Sequence, residues 1–197
     1  GLSDFVFGTE TSTRLKIRVL NVSQAELLKD LESAVDYDQS VLFKKVYEDE
    51  YGTLGGFPYS ALIGDFYFGR HPQDVALCRR ISEVACAAHA PFVASSSPKL
   101  FDMKSWTELA VPRDLSKIFE SAEVIPWRSF RESEDSRYCT LVLPRYASRL
   151  PYGEATNPVE QFAFEEAVDG RDHDAYLWSN MAYQLGLKMT DAFAKYG

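Results

Sequence analysis

Hydrophobic and polar positions alternate between two periods along the chain, and that alternation sets out the elements. Leu15-Lys16-Ile17-Arg18-Val19-Leu20 alternates residue by residue, which predicts a strand with one wet face. Ser23 and Glu26 have the spacing of a capping box. Leu27, Leu28, Leu31, Ala34 and Val35 follow at helical spacing, so an amphipathic helix is expected there. A second short helix is expected through Leu42, Phe43, Val46 and Tyr47, ending near Gly52. Tyr59 to Phe68 is almost continuously apolar and predicts a buried strand.

Pro72 suits the first turn of a helix and Asp74 suits its positive end. Val75, Cys78, Ile81, Ser82, Ala85 and Ala88 would form its inner face, with small side chains that allow close packing on a sheet. Pro91 ends that helix and Phe92 to Ser95 predicts a short buried strand. Pro112 opens a further expected helix through Leu115, Ile118 and Phe119, and Tyr138 to Leu143 predicts another strand. Residues 144–158 contain three prolines and are expected to be a loop or linker. From His173 to Tyr196 the spacing of Trp178, Met181, Ala182, Leu185, Met189, Ala192 and Phe193 predicts one long helix, with Asp172 as its cap. Strands alternating with helices predict a single layered α/β domain over 1–197, a mixed sheet flanked by helices. The strands near 15–20, 60–68, 92–95 and 138–143 are expected to share that sheet.

Composition narrows the function. With 46% apolar and 14% aromatic residues in 197, the chain has enough material for a core. A net charge of −8 opposes non-specific nucleic-acid binding and adhesion to an anionic membrane. No apolar run of about 18 residues is present to span a bilayer. Three cysteines, Cys78, Cys86 and Cys139, fit a reducing compartment better than a disulfide framework. With no secretory signal legible, the sequon Asn21-Val22-Ser23 is read as accidental. The abrupt start at GLSDFVFG and stop at AKYG predict a fragment of something longer.

Candidate chemistry is sparse. Gly52, Gly55 and Gly56 follow a predicted helix and precede a strand, the reverse of a phosphate loop, so a turn needing positive φ is expected. Asp169-Gly170-Arg171-Asp172-His173-Asp174 lacks calcium-loop spacing and has no nearby Cys or second His for zinc. Ser95-Ser96-Ser97 lies outside any nucleophile motif. Cys78 and Cys86 are two helical turns apart, about 12 Å, too far to hold one ion together. No catalytic residue, metal or cofactor is therefore expected. The densest polar stretch is WRSFRESEDSRY, residues 127–138, where Arg128, Arg131 and Arg137 face Glu132, Glu134 and Asp135. Local balance predicts an ion-pair network or an interface. The alternative is a hydrolase or nucleotide-binding enzyme using Glu132, Asp135 and His173, which requires those side chains to converge in one pocket. A small-molecule binding module would instead need an apolar cavity beside the last helix.

The ordered set TSTRLKIRVLNVS, YEDEYGTLGG, ALIGDFYFGRHPQDV, AHAPFVASSSPKLF, PRDLSKIFES, WRSFRESEDSRY, LPRYASRLPYG, NPVEQFAFEE and DGRDHDAYLWSN resembles the large sheath subunit of the bacterial type VI secretion system, the TssC/VipB/EvpB family. The resemblance runs over the whole chain. It implies a cytoplasmic bacterial structural protein with the fold of a contractile tail-sheath middle domain. It implies polymerisation with a small sheath subunit (TssB/VipA type) around an inner tube protein, and contraction that propels the tube into a target cell. It also implies disassembly by an AAA+ ATPase of the ClpV type, through an N-terminal segment that is missing here together with a C-terminal portion.

Overall fold

In the computed structural model, residues 15–161, 163–168 and 170–196 are described. Three strands, β1 (Leu62–Phe68), β2 (Phe92–Ser96) and β3 (Cys139–Val142), form a sheet in the order β1-β2-β3, all parallel. Parallel neighbours require crossovers, and the helices provide them. Helix α3 (Pro72–Ala87) links β1 to β2, and α4 (Ile125–Glu132), with short 3₁₀ turns on either side, links β2 to β3. Before the sheet come α1 (Gln24–Ser33) and α2 (Val41–Phe43), which continues as a π-helix over Lys44–Tyr51. After it come a small antiparallel ladder, β4 (Tyr146–Ala147) with β5 (Trp178–Ser179), and the final helix α5 (Met181–Tyr196).

Both faces of β2 are covered. Phe92 and Ala94 belong to the main core with Phe68, Val75, Cys78, Ile81, Val84 and Ala85 beneath α3. Val93 and Ser95, on the other face, are buried with Ala182 and Asn180 at the start of α5. Three layers result, and β2 is apolar or small at every position because it meets no water. Gly64 is required in β1, since a Cβ there would lie 2.7 Å from the Phe92 ring.

The capping box of α1 is present: Ser23 Oγ accepts from Glu26 N at 3.2 Å and Glu26 Oε2 accepts from Ser23 N at 2.8 Å. The inner face of α3 is the expected one, with Val75, Cys78, Ile81, Ser82, Ala85 and Ala88 all buried. The predicted strands at 60–68, 92–95 and 138–143 share the sheet.

Three expectations are corrected. Residues 15–20 are not a strand. Their alternation is real, with Leu15 and Ile17 half-buried, but a strand also needs a ladder partner, and none pairs with them among the described residues. Lys16 instead lies over the Phe57 ring, 3.0 Å from its centroid, and Arg18 pairs with Glu50. The helix expected after Pro112 is only a 3₁₀ segment, Ser116–Glu120. Asp114 Oδ1 captures the Ser116 amide at 3.0 Å, a local bond that competes with helix formation. The last helix begins at Met181, not His173. Trp178 and Ser179 are held extended by β4, and Asp172 caps the 3₁₀ turn His173–Ala175 instead. The true start is set by Asn180, whose Oδ1 accepts from Ala182 N at 2.9 Å.

Candidate functional site

The stretch 127–138 folds as the greater part of α4 followed by a 3₁₀ turn, Glu134–Tyr138. Pro126 sits in the first turn of α4, where its missing N–H costs nothing. Val124, Trp127 and Phe130 recur at three-residue spacing and are buried; Arg128, Arg131 and Glu132 point to solvent. Trp127 Nε1 donates to Gly69 O at 3.0 Å, and its ring meets Phe130 edge-on, 5.7 Å between centroids. Gly69 N in turn donates to Asp74 Oδ2 at 2.7 Å, so the end of β1 is held from both helices.

The internal ion-pair network expected here is not formed: among the described residues, no ion pair involves Arg128, Arg131 or Arg137. Arg131 lies over the Phe119 ring at 4.9 Å and Arg137 over Tyr138 at 5.8 Å. Flat guanidinium groups gain from aromatic faces without needing a carboxylate. Ser133 and Ser136 turn their hydroxyls back onto the backbone of the stretch, Ser136 Oγ donating to Ser133 O at 2.7 Å. Asp135 faces the Cys86 thiol, whose pKa is raised first by burial and then by that carboxylate. The result is a buried aromatic anchor carrying an outward row of mixed charge.

Glu132 and Asp135 sit at the end of α4 and in the turn after it, while His173 lies beyond the proline loop, where its carbonyl accepts from Trp178 Nε1. Two concavities bear on these readings. One, about 590 Å³, lies between α1 and α3 beside Leu28, Lys29, Asp74 and Leu77. The other, about 390 Å³, lies at the carboxyl ends of the strands beside Tyr67, Trp106 and Trp178. None of Glu132, Asp135 and His173 lines either one, so the convergence an enzyme site needs is not found in these concavities. Neither is lined by a residue of α5, as a module binding small molecules beside that helix would require. Asp169, the first residue of the acidic loop, lies outside the described residues. Among the described residues no group of three His, Cys, Asp or Glu side chains is placed to hold a metal. No described helix is long and apolar enough to cross a membrane.

The proline loop carries an ordered ion pair that sequence inspection missed. Arg149 meets Glu166 through two bonds, at 2.7 and 2.8 Å, and stacks on Tyr152 at 3.9 Å. Glu166 Oε2 also accepts from Tyr152 N at 2.8 Å. The Arg149 bond, then the Tyr152 amide, depress the Glu166 carboxyl from 4.5 to about 2. A carboxyl with a lowered folded value stabilises above its ordinary pKa and loses that contribution as pH falls through the folded one. The loop should therefore loosen as pH drops from 4.5 toward about 2, read as faster exchange of the Tyr152 amide. Glu166→Gln should remove this pH dependence; an unchanged acid transition in that variant would refute the assignment.

Over residues 1–197 the chain matches the family model VipB, described as EvpB tail sheath N-terminal domain. It is 51% identical over 199 residues to the type VI secretion system sheath protein TssC1 of Pseudomonas aeruginosa, a match covering 100% of this chain and 40% of that protein. The chain thus spans about two fifths of the length of the curated relative it matches. The family description makes this domain N-terminal, whereas the motifs alone imply a middle position in a longer subunit. A match over all 197 residues settles the lineage: the chain belongs to the VipB/EvpB family of type VI secretion tail sheath proteins.

Proposed function

We propose that this domain is a structural building block of a contractile type VI secretion sheath in the bacterial cytoplasm, and that it has no catalytic role. The observation that carries this reading is the 51% identity to a sheath protein along the entire chain. In this reading the subunit polymerises with a small sheath subunit around an inner tube. Contraction of the polymer drives the tube outward, and an AAA+ ATPase recycles the contracted sheath through parts of the subunit outside this domain. Co-expression of the full-length protein with its small subunit should give tubes visible by electron microscopy; their absence would overturn the reading.

The outward row on α4 and its following turn supports a more specific role. Arg128, Arg131, Glu132, Glu134 and Arg137 are exposed and carry charge that the described fold does not pair. Interfaces that must form with the right register use such patterns for orientation more than for affinity. The row is proposed as an inter-subunit contact. Combined Arg131→Glu, Glu132→Arg and Glu134→Arg substitutions in the full-length protein should leave the domain folded and impair tube assembly or contraction. Normal contracting tubes from that variant would make the row a plain surface.

A further inference from the structure

The turn after the π-helix presents a side chain outward. Gly56 N donates to Thr53 O at 2.9 Å and Gly55 takes φ +83°, which puts Leu54 and Gly55 at the corner of a tight turn. Leu54 is fully exposed. The turn is braced from below. Thr53 Oγ1 donates to Glu48 O at 2.6 Å, and Phe57 N donates to the buried carboxylate of Glu50 at 2.9 Å, which Arg18 also holds. A single exposed leucine is ordinary on a protein surface; what marks this one is the braced turn that presents it and the acids beside it. Glu48 and Asp49 beside it are exposed, and neither has an ion-pair partner among the described residues.

The 390 Å³ concavity has the complementary chemistry. Its walls include Trp106, Trp178 and Tyr67, and its rim carries Lys104 and Arg145. Lys104 has no ion-pair partner among the described residues, while Arg145 lies over the Trp178 ring at 5.1 Å and meets Asp174, which also lines the concavity, at 3.8 Å.

The parallel sheet sets the two features at opposite ends. The ring of Tyr51, just before the turn, lies 6.0 Å from His89, which precedes β2 and so marks the amino ends of the strands. Tyr67, Ser97 and Arg145 mark the carboxyl ends. Seven residues of β1 at about 3.3 Å each separate these ends by about 20 Å. A knob and a socket on opposite ends of one molecule make a head-to-tail contact, which repeats as an open filament where the rotation between copies does not close a ring.

We infer that Leu54 of one copy of this chain seats between Trp106 and Trp178 of the next, with Glu48 and Asp49 facing Lys104 and Arg145. The inference rests on the sheath reading, which supplies a polymer in which such a contact repeats. The test replaces Leu54 by p-benzoylphenylalanine in the full-length subunit, co-expressed with the small subunit and irradiated. The expected product is a covalent dimer of the large subunit, joined through the tryptic peptide that holds Trp106 or the one that holds Trp178. Tubes that form while the adduct lies elsewhere, falls on another polypeptide or is missing would overturn the contact and leave the sheath reading intact. No tubes from the unsubstituted protein would remove both. A second measurement covers failure of the cross-linking variant to assemble. Leu54→Ala should raise the subunit concentration needed for tubes about tenfold, the loss expected for a buried leucine. Asp49→Lys should weaken assembly and Lys104→Glu in the same chain should restore it. Assembly unaffected by Leu54→Ala and Asp49→Lys would refute the contact.

Discussion

Trp127→Ala is expected to destabilise the domain by about 3–5 kcal/mol, the range for emptying a large aromatic site in a core. The side chain is 3% exposed and packs with Val124 and Phe130. Its loss also leaves Gly69 O, at the end of β1, without the indole donor. Trp127→Phe separates the two contributions: it keeps most of the volume and removes the bond, and should cost about 1–3 kcal/mol. Arg131→Ala, four residues on, should cost less than about 1 kcal/mol, because an exposed cation over a ring contributes little. Urea unfolding midpoints of the three variants test the ordering. Equal losses at Trp127 and Arg131 would mean that α4 is not anchored through its aromatic face.

Asn180→Ala should cost about 3 kcal/mol or more, out of proportion to the atoms removed, since each stranded buried polar group costs about 1–3 kcal/mol. Asn180 is 1% exposed and satisfies three partners. Its Oδ1 accepts from Ser95 Oγ at 2.6 Å and Ala182 N at 2.9 Å, and its Nδ2 donates to Phe66 O at 3.0 Å. The Phe66 carbonyl lies where the β1–β2 register shifts, between Ile63 and Tyr67. The side-chain amide thus serves a group in the irregular part of the ladder. Asn180→Asp keeps the acceptor but removes the donor to Phe66 O and buries a charge, so it should be at least as damaging. If thermal unfolding shows either variant within 1 kcal/mol of the parent, taken here as roughly the worth of one ordinary hydrogen bond, the clamp is not structural.

Elements with their own signals were legible in the sequence. The α1 capping box, the small-residue face of α3 and the apolar run of β1 announce themselves within a few residues, and the structure places them where expected. The segment after Pro112 is undone by a local Asp114 bond, but two other misreadings share a different cause: the deciding partner lies far away in the chain. Leu15 to Leu20 has the period of a strand and no ladder partner among the described residues. Trp178 and Ser179 have helical spacing with Met181, yet β4, some thirty residues earlier, draws them out straight. Asn180, immediately before an apolar helical run, carries the mark of a cap, but the helical spacing of Trp178 with Met181 runs across it and hides the break. In 127–138 charge counting suggested mutual pairing, but arginine has aromatic faces as an alternative partner. Which acids and bases meet depends on helix phase, with Trp127 and Phe130 fixing the inward side.

The Asn180 clamp also bears on the order in which the domain acquires structure. It joins residues 85 and 114 positions apart, while the crossover units around α3 join segments much nearer in sequence. Closing such long loops is entropically late, so the β1-α3-β2 unit should nucleate first and α5 should dock last. Interactions absent from the folding transition state act mainly on the unfolding rate. The clamp is then a latch on the native state: it leaves the speed of folding nearly unchanged and sets how long the finished domain stays closed.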